Sequence, residues 1–221
     1  MRAPDIEKLF TAADFEAVRA AVRKAERGTA GEIVPYVVPA SDVYAGAVWK
    51  GTALGALLGP LVALAVFHLG GFWGSHLSFW IALPAAAGAA AGFLLATFVP
   101  GVKRWLAGSE LLTARVHERA GMAFLTEEVF RTRERTGILL FVSLFERRVV
   151  ALGDSGINQR VEVSHWEGVV DTVVAGIREG RPAAALVAGI EQCGELLARF
   201  GVAIRPDDSN ELSDELRRGD V

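Results

Sequence analysis

The sequence contains no Asp, Glu, Lys or Arg from residue 51 to residue 102, although 22% of its 221 residues are charged. Soluble domains do not normally exclude charge over so long a stretch, because charged side chains are rarely absent from their surfaces. All the charge of the chain, a net −3 at pH 7, therefore lies in the two segments on either side of this stretch.

Other absences narrow the function. Cys193 is the single cysteine, which excludes an intramolecular disulfide and a cysteine-based zinc site. The slightly acidic charge balance gives none of the basic footprint that nucleic-acid binding requires, so we expect no nucleic-acid partner. The sequence has no phosphate-binding loop, nucleophile elbow, dinucleotide fingerprint or zinc-protease motif. Enzymes built on those motifs are therefore excluded.

The uncharged stretch holds two apolar runs, residues 49–69 and residues 77–99. A helix rises about 1.5 Å per residue, so each run is long enough to cross a bilayer core about 30 Å thick. The residues between them, 70–76, are rich in turn formers, which predicts an antiparallel transmembrane hairpin. Tryptophans stand at both predicted membrane surfaces, as is typical of interfacial belts: Trp49, Trp73, Trp80 and Trp105.

Small residues on both runs support the pairing of the two helices. Gly51, Gly55 and Gly59 lie on the first run, and residues 85–92 of the second are almost all alanine and glycine. Helix pairs in membranes depend on such residues for close approach, so these positions could pack within the hairpin or against other spans. The alternative interpretation is a buried helical hairpin of a soluble protein.

Basic residues predict the orientation. Lys50, Lys103, Arg104, Arg115 and Arg119 lie near the outer ends of the hairpin, and residues 70–76 contain no Lys or Arg. Positive charge is retained on the cytoplasmic side of membranes. We therefore expect a multi-pass protein of the cell inner membrane with both termini in the cytoplasm.

Strand patterns occupy both flanking segments. Residues 32–38 are rich in Val, Ile and Tyr, residues 137–144 form a nearly continuous apolar run, and residues 147–152 follow after a turn. The first two can pair in parallel because a long connection with helices joins them, and the last two form a hairpin. The sequence thus predicts an α/β fold with a mixed β-sheet sandwiched by helices. Pro35 lacks an N–H, which favours an edge position or a bulge for the first strand.

Amphipathic patterns predict the helices that cover this sheet. Thr11 and Asp14 form a capping-box pattern at the start of one helix, and Pro182 stands near the start of another. Residues 207–221 are acidic with few apolar side chains, which predicts a disordered tail. The predicted organisation is an α/β domain in two parts, residues 1–48 and 101–206, separated by the hairpin at residues 49–100 and followed by the tail.

Six segments together resemble the TPM-domain family, and more closely its bacterial integral-membrane branch, in which a two-span hairpin interrupts the domain after the first strand. They are TAGEIVPY (29–36), SDVY (41–44), RTGILLFVSLFER (135–147), DSGI (154–157), Trp166 and GIEQCGELL (189–197). The resemblance implies an α/β sandwich around a mixed sheet. Thylakoid relatives are described as acid phosphatases or photosystem repair factors, and other members as accessory subunits that bind partners. The bacterial membrane branch has no settled activity.

Three carboxylates are the candidate ligands of a divalent cation, Ca²⁺ or Mg²⁺: Asp154, Glu32 and Asp42. Asp154 follows a strand and precedes Gly156, but an Asp in this position also serves as a turn residue or helix cap. Glu32 matches a Glu of the family at the first strand, and it could instead pair with an arginine such as Arg147. Asp42 could hold a hard cation or remain solvated.

Two functions are compatible with these residues. The first is a membrane-anchored, non-catalytic interaction or accessory module whose partners are the bilayer and a membrane protein or a second copy. The second is a metal-assisted phosphatase that uses Asp154 with Glu32 or Asp42 to hold a cation. The distances between these carboxylates discriminate the two, because carboxylates that lie far apart cannot share one ion.

Overall fold

A computed structural model describes residues 5–70, 77–200 and 210–220. The described residues form two compact units: Val43–Leu112, and an α/β unit made of the residues before Val43 and after Leu112. The predicted membrane loop at residues 71–76, and residues 207–209 and 221 of the predicted tail, lie outside the described residues.

The helices and strands are, in chain order, α1 (Ile6–Leu9), α2 (Ala12–Glu26), β1 (Ile33–Val38), α3 (Ala45–Gly70), α4 (Leu77–Phe98), α5 (Pro100–Ala107), α6 (Ser109–Thr126), a 3₁₀ turn (Val129–Arg131), β2 (Ile138–Ser143), β3 (Arg148–Gly153), α7 (Ser155–Asn158), α8 (Val163–Arg178), α9 (Pro182–Arg199) and β4 (Arg217–Arg218). The strands form one sheet in the order β3-β2-β1-β4. β1 pairs in parallel with β2 and with β4, whereas β2 and β3 are antiparallel. The predicted α/β class, the mixed sheet, the parallel pairing of β1 with β2 and the β2–β3 hairpin are confirmed.

Helices cover both faces of this sheet. On one face α2, α8 and α9 pack against strand residues such as Leu140 and Val142. On the other face α6 packs against Leu139 and Phe141. Successive side chains of a strand point to opposite faces, so a strand covered on both sides reads as a continuous apolar run. All six residues of β2 are buried, which explains its sequence.

The first long helix begins at the predicted capping box. The Asp14 N–H donates to Thr11 Oγ1 at 3.3 Å, and the Thr11 N–H donates to Asp14 Oδ2 at 2.8 Å. These reciprocal bonds satisfy backbone donors that the first turn of a helix leaves without partners. The Phe10 and Phe15 rings, 6.0 Å apart, pack beside them.

Pro35 favoured an edge position or a bulge for β1, and the structure corrects this prediction, because the register of β1 with β2 is unbroken and β1 is an inner strand. β1 lies between β2 and β4. The Leu144 N–H donates to Val38 O, so even-numbered residues of β1 direct their backbone groups to β2. Odd-numbered residues face β4, from which the Gly219 N–H donates to Val37 O. Because β4 is only two residues long and Pro35 lies before its start, the missing N–H of Pro35 removes no ladder bond there.

Residues 210–220 correct the prediction of a disordered tail. They include β4, and Leu216 is 7% exposed within the core of the α/β unit. Arg23 Nε donates to Asp214 Oδ2 at 2.7 Å. A segment that is too polar to form a core of its own is ordered here because a core already present receives its single buried leucine.

The second unit contains the two apolar helices α3 and α4. Their bounds agree closely with the two runs identified in the sequence. By length and composition both are able to cross a membrane. A Cβ at Gly55 would overlap the carbonyl oxygen of Gly88 and lie 2.7 Å from its carbonyl carbon. A Cβ at Gly59 would likewise overlap the carbonyl oxygen of Pro84, and one at Gly51 would lie 2.9 Å from that of Gly92, so backbone touches backbone along this pair.

Candidate functional site

Asp154 is the helix cap that the alternative interpretation predicts. It follows β3, and its carboxylate accepts the Ser155 N–H at 2.6 Å at the start of α7. Its other oxygen lies 2.8 Å from Arg135 Nε, and the side chain is buried. One oxygen of this buried carboxylate thus accepts a cap bond, and the other lies beside a positive charge. Its environment accounts for an aspartate without a metal.

Glu32 precedes β1 at the amino end of the parallel strands. Its Oε1 accepts the Glu211 N–H at 3.0 Å, so it binds the segment that was predicted to be disordered. Burial raises the pKa of this carboxyl, because the low dielectric disfavours its charge. The predicted pairing with Arg147 is wrong: Glu32 stands before the first residue of β1, whereas Arg147 lies beyond the end of β2 that is opposite Val38.

Asp42 lies at the opposite end of the sheet. Ser41 beside it donates its N–H to Glu146 Oε1 at 2.8 Å, in the turn after β2, and Arg115 Nε lies 2.8 Å from Asp42 Oδ2. Six strand residues separate the two ends of β1, a length of roughly 20 Å at about 3.3 Å per residue. Asp42 therefore cannot share an ion with Glu32 or Asp154.

Two acids near Glu32 escaped the sequence prediction. Glu26, at the end of α2, accepts the Ile33 N–H at 2.7 Å, and burial raises its pKa to about 8. Asp214, buried and bonded to Arg23, affects both Glu26 and Glu32 electrostatically. Glu26 could not be identified because a Glu at a helix end normally faces solvent, and Asp214 because its segment was taken as disordered.

Within the described ranges, no three His, Cys, Asp or Glu side chains come together as a metal site. The amino-end carboxylates receive backbone N–H groups and arginines instead. These bonds hold the loops around the sheet in place, so the carboxylates have a structural role. The three candidate ligands therefore have three different structural roles. Glu32 binds the N–H of residue 211, Asp154 caps α7, and Asp42 pairs with Arg115.

The carboxyl ends of β1 and β2 carry a polar network that the sequence did not suggest. Ser143 Oγ donates to Glu146 Oε2, and Ser41 Oγ lies 2.8 Å from Ser143 Oγ. With the Ser41 N–H on its other oxygen, the buried Glu146 links the connection after β1 to the turn after β2. Clefts of α/β sheets form at this end of parallel strands. The one weak signal in the sequence is that both strands end in serine-containing connections.

Cys193 is a packing residue of α9. It is fully buried in the core, and burial raises the pKa of its thiol to about 12. A thiolate is the nucleophilic form of cysteine, so this side chain is inert at neutral pH.

Comparisons with known proteins identify a similar fold but no activity. No protein-family model matches the chain, and no curated protein matches it. Its fold is similar to the NMR structure of the BA42 protein from the psychrophilic bacterium Bizionia argentinensis, with a TM-score of 0.59 and 20% sequence identity. That match covers 97% of this chain and 99% of the other. At this identity the likeness concerns the fold alone.

Proposed function

We propose that this chain is a membrane-anchored interaction or accessory module of the TPM-domain type, with an α/β unit held at the cytoplasmic face of the inner membrane by the α3–α4 hairpin. The observation that carries the proposal is the exposed apolar surface of these two helices. No residue is buried in the most apolar stretch of α3. In the most apolar stretch of α4, only 6% of the residues are buried.

This exposure argues against the soluble alternative. A core helix of a soluble protein hides its apolar side chains, whereas Leu57, Leu61, Phe79 and Leu83 are all more than half exposed. Water around so many large side chains would cost roughly 25 cal/mol per Å², and lipid removes that cost. The hairpin is therefore best understood as a lipid-embedded anchor.

The contacts of the small residues indicate which surface of the chain could bind a partner. Gly51, Gly55 and Gly59 face α4, where a Cβ on any of them would meet backbone atoms. A glycine face occupied in this way does not serve a third helix. We therefore propose that a partner binds through the α/β unit and not through the glycine face.

Cross-linking in native membranes followed by purification in mild detergent tests the interaction role. We expect a discrete cross-linked species that contains either a second protein or a second copy of the chain, because an accessory module acts through a bound partner. A parallel sample without cross-linker identifies species formed only by the detergent. Recovery of a lone monomer from both samples would count against the proposal.

Topology is a separate prediction. β1 precedes the hairpin and β2 follows it, yet the two strands pair, so both flanking segments must lie on one side of the membrane. The basic residues beside the hairpin make that side the cytoplasm. A cysteine introduced as Ser75→Cys should react with a membrane-impermeant thiol reagent in intact cells.

The matched control is Ser213→Cys, an exposed serine of the α/β unit, which should react only after the membrane is permeabilised. The native Cys193 is buried and adds little background. A reporter fused after Val221 should behave as cytoplasmic. Labelling of Ser213→Cys but not Ser75→Cys in intact cells would reverse the proposed orientation.

A further inference from the structure

A cleft of about 360 Å³ lies at the free edge of β3, wholly within the α/β unit. His117 of α6 borders it on one side, Arg178 of α8 borders it on the other, and the turn before β3 contributes Arg147 and Arg148. Pockets that bind small ligands have volumes of about 300–1,000 Å³. The cleft is large enough for a phosphate ester or a lipid headgroup.

The charged groups of this cleft favour an anion. Three arginines line it, Arg147, Arg148 and Arg178. Glu146 is the one carboxylate among the described lining residues, and it is 5% exposed with the Ser41 N–H on one oxygen and the Ser143 hydroxyl on the other. The lining therefore carries a positive net charge. Guanidiniums bind phosphate oxygens through paired N–H groups, which a lysine cannot reproduce.

The backbone of Arg147 provides an independent argument. Its φ is 54°, in the left-handed region that glycine and asparagine usually occupy. A bulky residue in this region has a strained backbone, and such strained residues cluster at ligand sites. The buried Glu146, bonded to Ser41, fixes the turn just before Arg147, and Arg147 lines the cleft.

The edge of the sheet adds a backbone contribution. β3 is the outermost strand of the described sheet. The Asp154 N–H donates to Gly137 O, so the even-numbered residues of β3 pair with β2 and Val149 turns its backbone groups to the outer edge. Val149 also lines the cleft. An outward N–H beside arginine side chains complements the oxygens of an anion.

We propose that this arginine cleft binds a phosphate-bearing group, either a free phosphate ester or the headgroup of an anionic lipid. The site is distinct from the carboxylates of Asp154, Glu32 and Asp42. The cleft is formed by the α/β unit alone, so binding of a free phosphate ester does not require the proposed membrane anchoring, whereas binding of a lipid headgroup rests on it.

Binding is tested with the full-length protein in nanodiscs and two probes. Pyrophosphate is titrated calorimetrically into protein in phosphatidylcholine discs, which tests free phosphate. The thermal unfolding midpoint is then compared between phosphatidylcholine discs and discs that also contain phosphatidylglycerol, which tests a lipid headgroup. The variants are Arg147→Gly, which relieves the positive φ, and Arg178→Gln. Arg27→Gln, an exposed arginine outside the cleft, is the matched control.

We expect each cleft variant to weaken pyrophosphate binding about tenfold, or to abolish the midpoint rise given by phosphatidylglycerol, because it removes a charge-assisted hydrogen bond. Arg27→Gln should change neither. Arg147→Gly should keep or raise the midpoint without ligand, so lost binding is not lost folding. A response in neither arm overturns the proposal, and so does an equal loss in Arg27→Gln.

Discussion

Deletion of residues 210–221 is expected to lower the free energy of unfolding of the α/β unit by about 3–5 kcal/mol. The deletion uncovers one side of β1, removes the buried Leu216 and takes the Asp214 partner from Arg23. It also removes the Glu211 N–H from Glu32, so a carboxylate loses its backbone donor. A disordered tail would leave the free energy unchanged.

A point variant isolates the apolar part of this effect. Leu216→Ala should cost about 2–3 kcal/mol, as truncation of buried leucines does. Leu125→Ala is the matched control, because this leucine of α6 is 61% exposed and should cost less than about 0.5 kcal/mol. Unfolding midpoints of the three proteins in the same detergent check the prediction. Equal midpoints for Leu216→Ala and Leu125→Ala would show that residues 210–220 do not dock in solution.

The deletion also shows where sequence reasoning fails for this fold. β2 was predictable because its continuous apolar run requires cover on both faces. β4 was not predictable, since two arginines in an acidic segment have no strand pattern. Its existence depends on an edge of β1 that is known only after the sheet is assembled. The acidic composition shows that the segment cannot form a core of its own. It does not show that the segment packs against the core of the α/β unit.

The candidate carboxylates show the same division. The sequence correctly located Asp154 after a strand and was compatible with either a ligand or a helix cap. Because β3 is antiparallel to β2, Asp154 at the end of β3 lies at the amino ends of β1 and β2. Asp42 lies at the opposite end of the sheet. Distances across a sheet depend on strand order and register, which single residues do not encode. Glu146 and Arg147 gained significance only through the turn geometry they share.

For the apolar helices, the sequence predicted where the two runs lie but not which helix packs against the glycine face. Length and the absence of charge located both runs within a few residues. The spacing of Gly51, Gly55 and Gly59 predicted a close-packed face but allowed a partner on the same hairpin or on another span. The backbone contacts with α4 identify the partner of that face.

Gly55→Ala is accordingly expected to destabilise the helix pair by about 1–3 kcal/mol, and Gly55→Leu by more. The added Cβ would lie 2.7 Å from the carbonyl carbon of Gly88, a separation that real Cβ atoms do not adopt, so α3 and α4 must move apart. Separation loses the van der Waals contacts along the whole glycine face, which are the principal attraction between helices in lipid.

Gly46→Ala is the matched control on the same helix, because a Cβ there meets no atom within 4 Å. It should be neutral or slightly stabilising, since alanine is the better helix former. Loss of helical circular dichroism during titration of mixed micelles with a denaturing detergent measures both variants against the parent chain. If Gly55→Ala unfolds at the same detergent fraction as Gly46→Ala, the two helices are not in backbone contact in the micelle, and Gly51, Gly55 and Gly59 become available to another span.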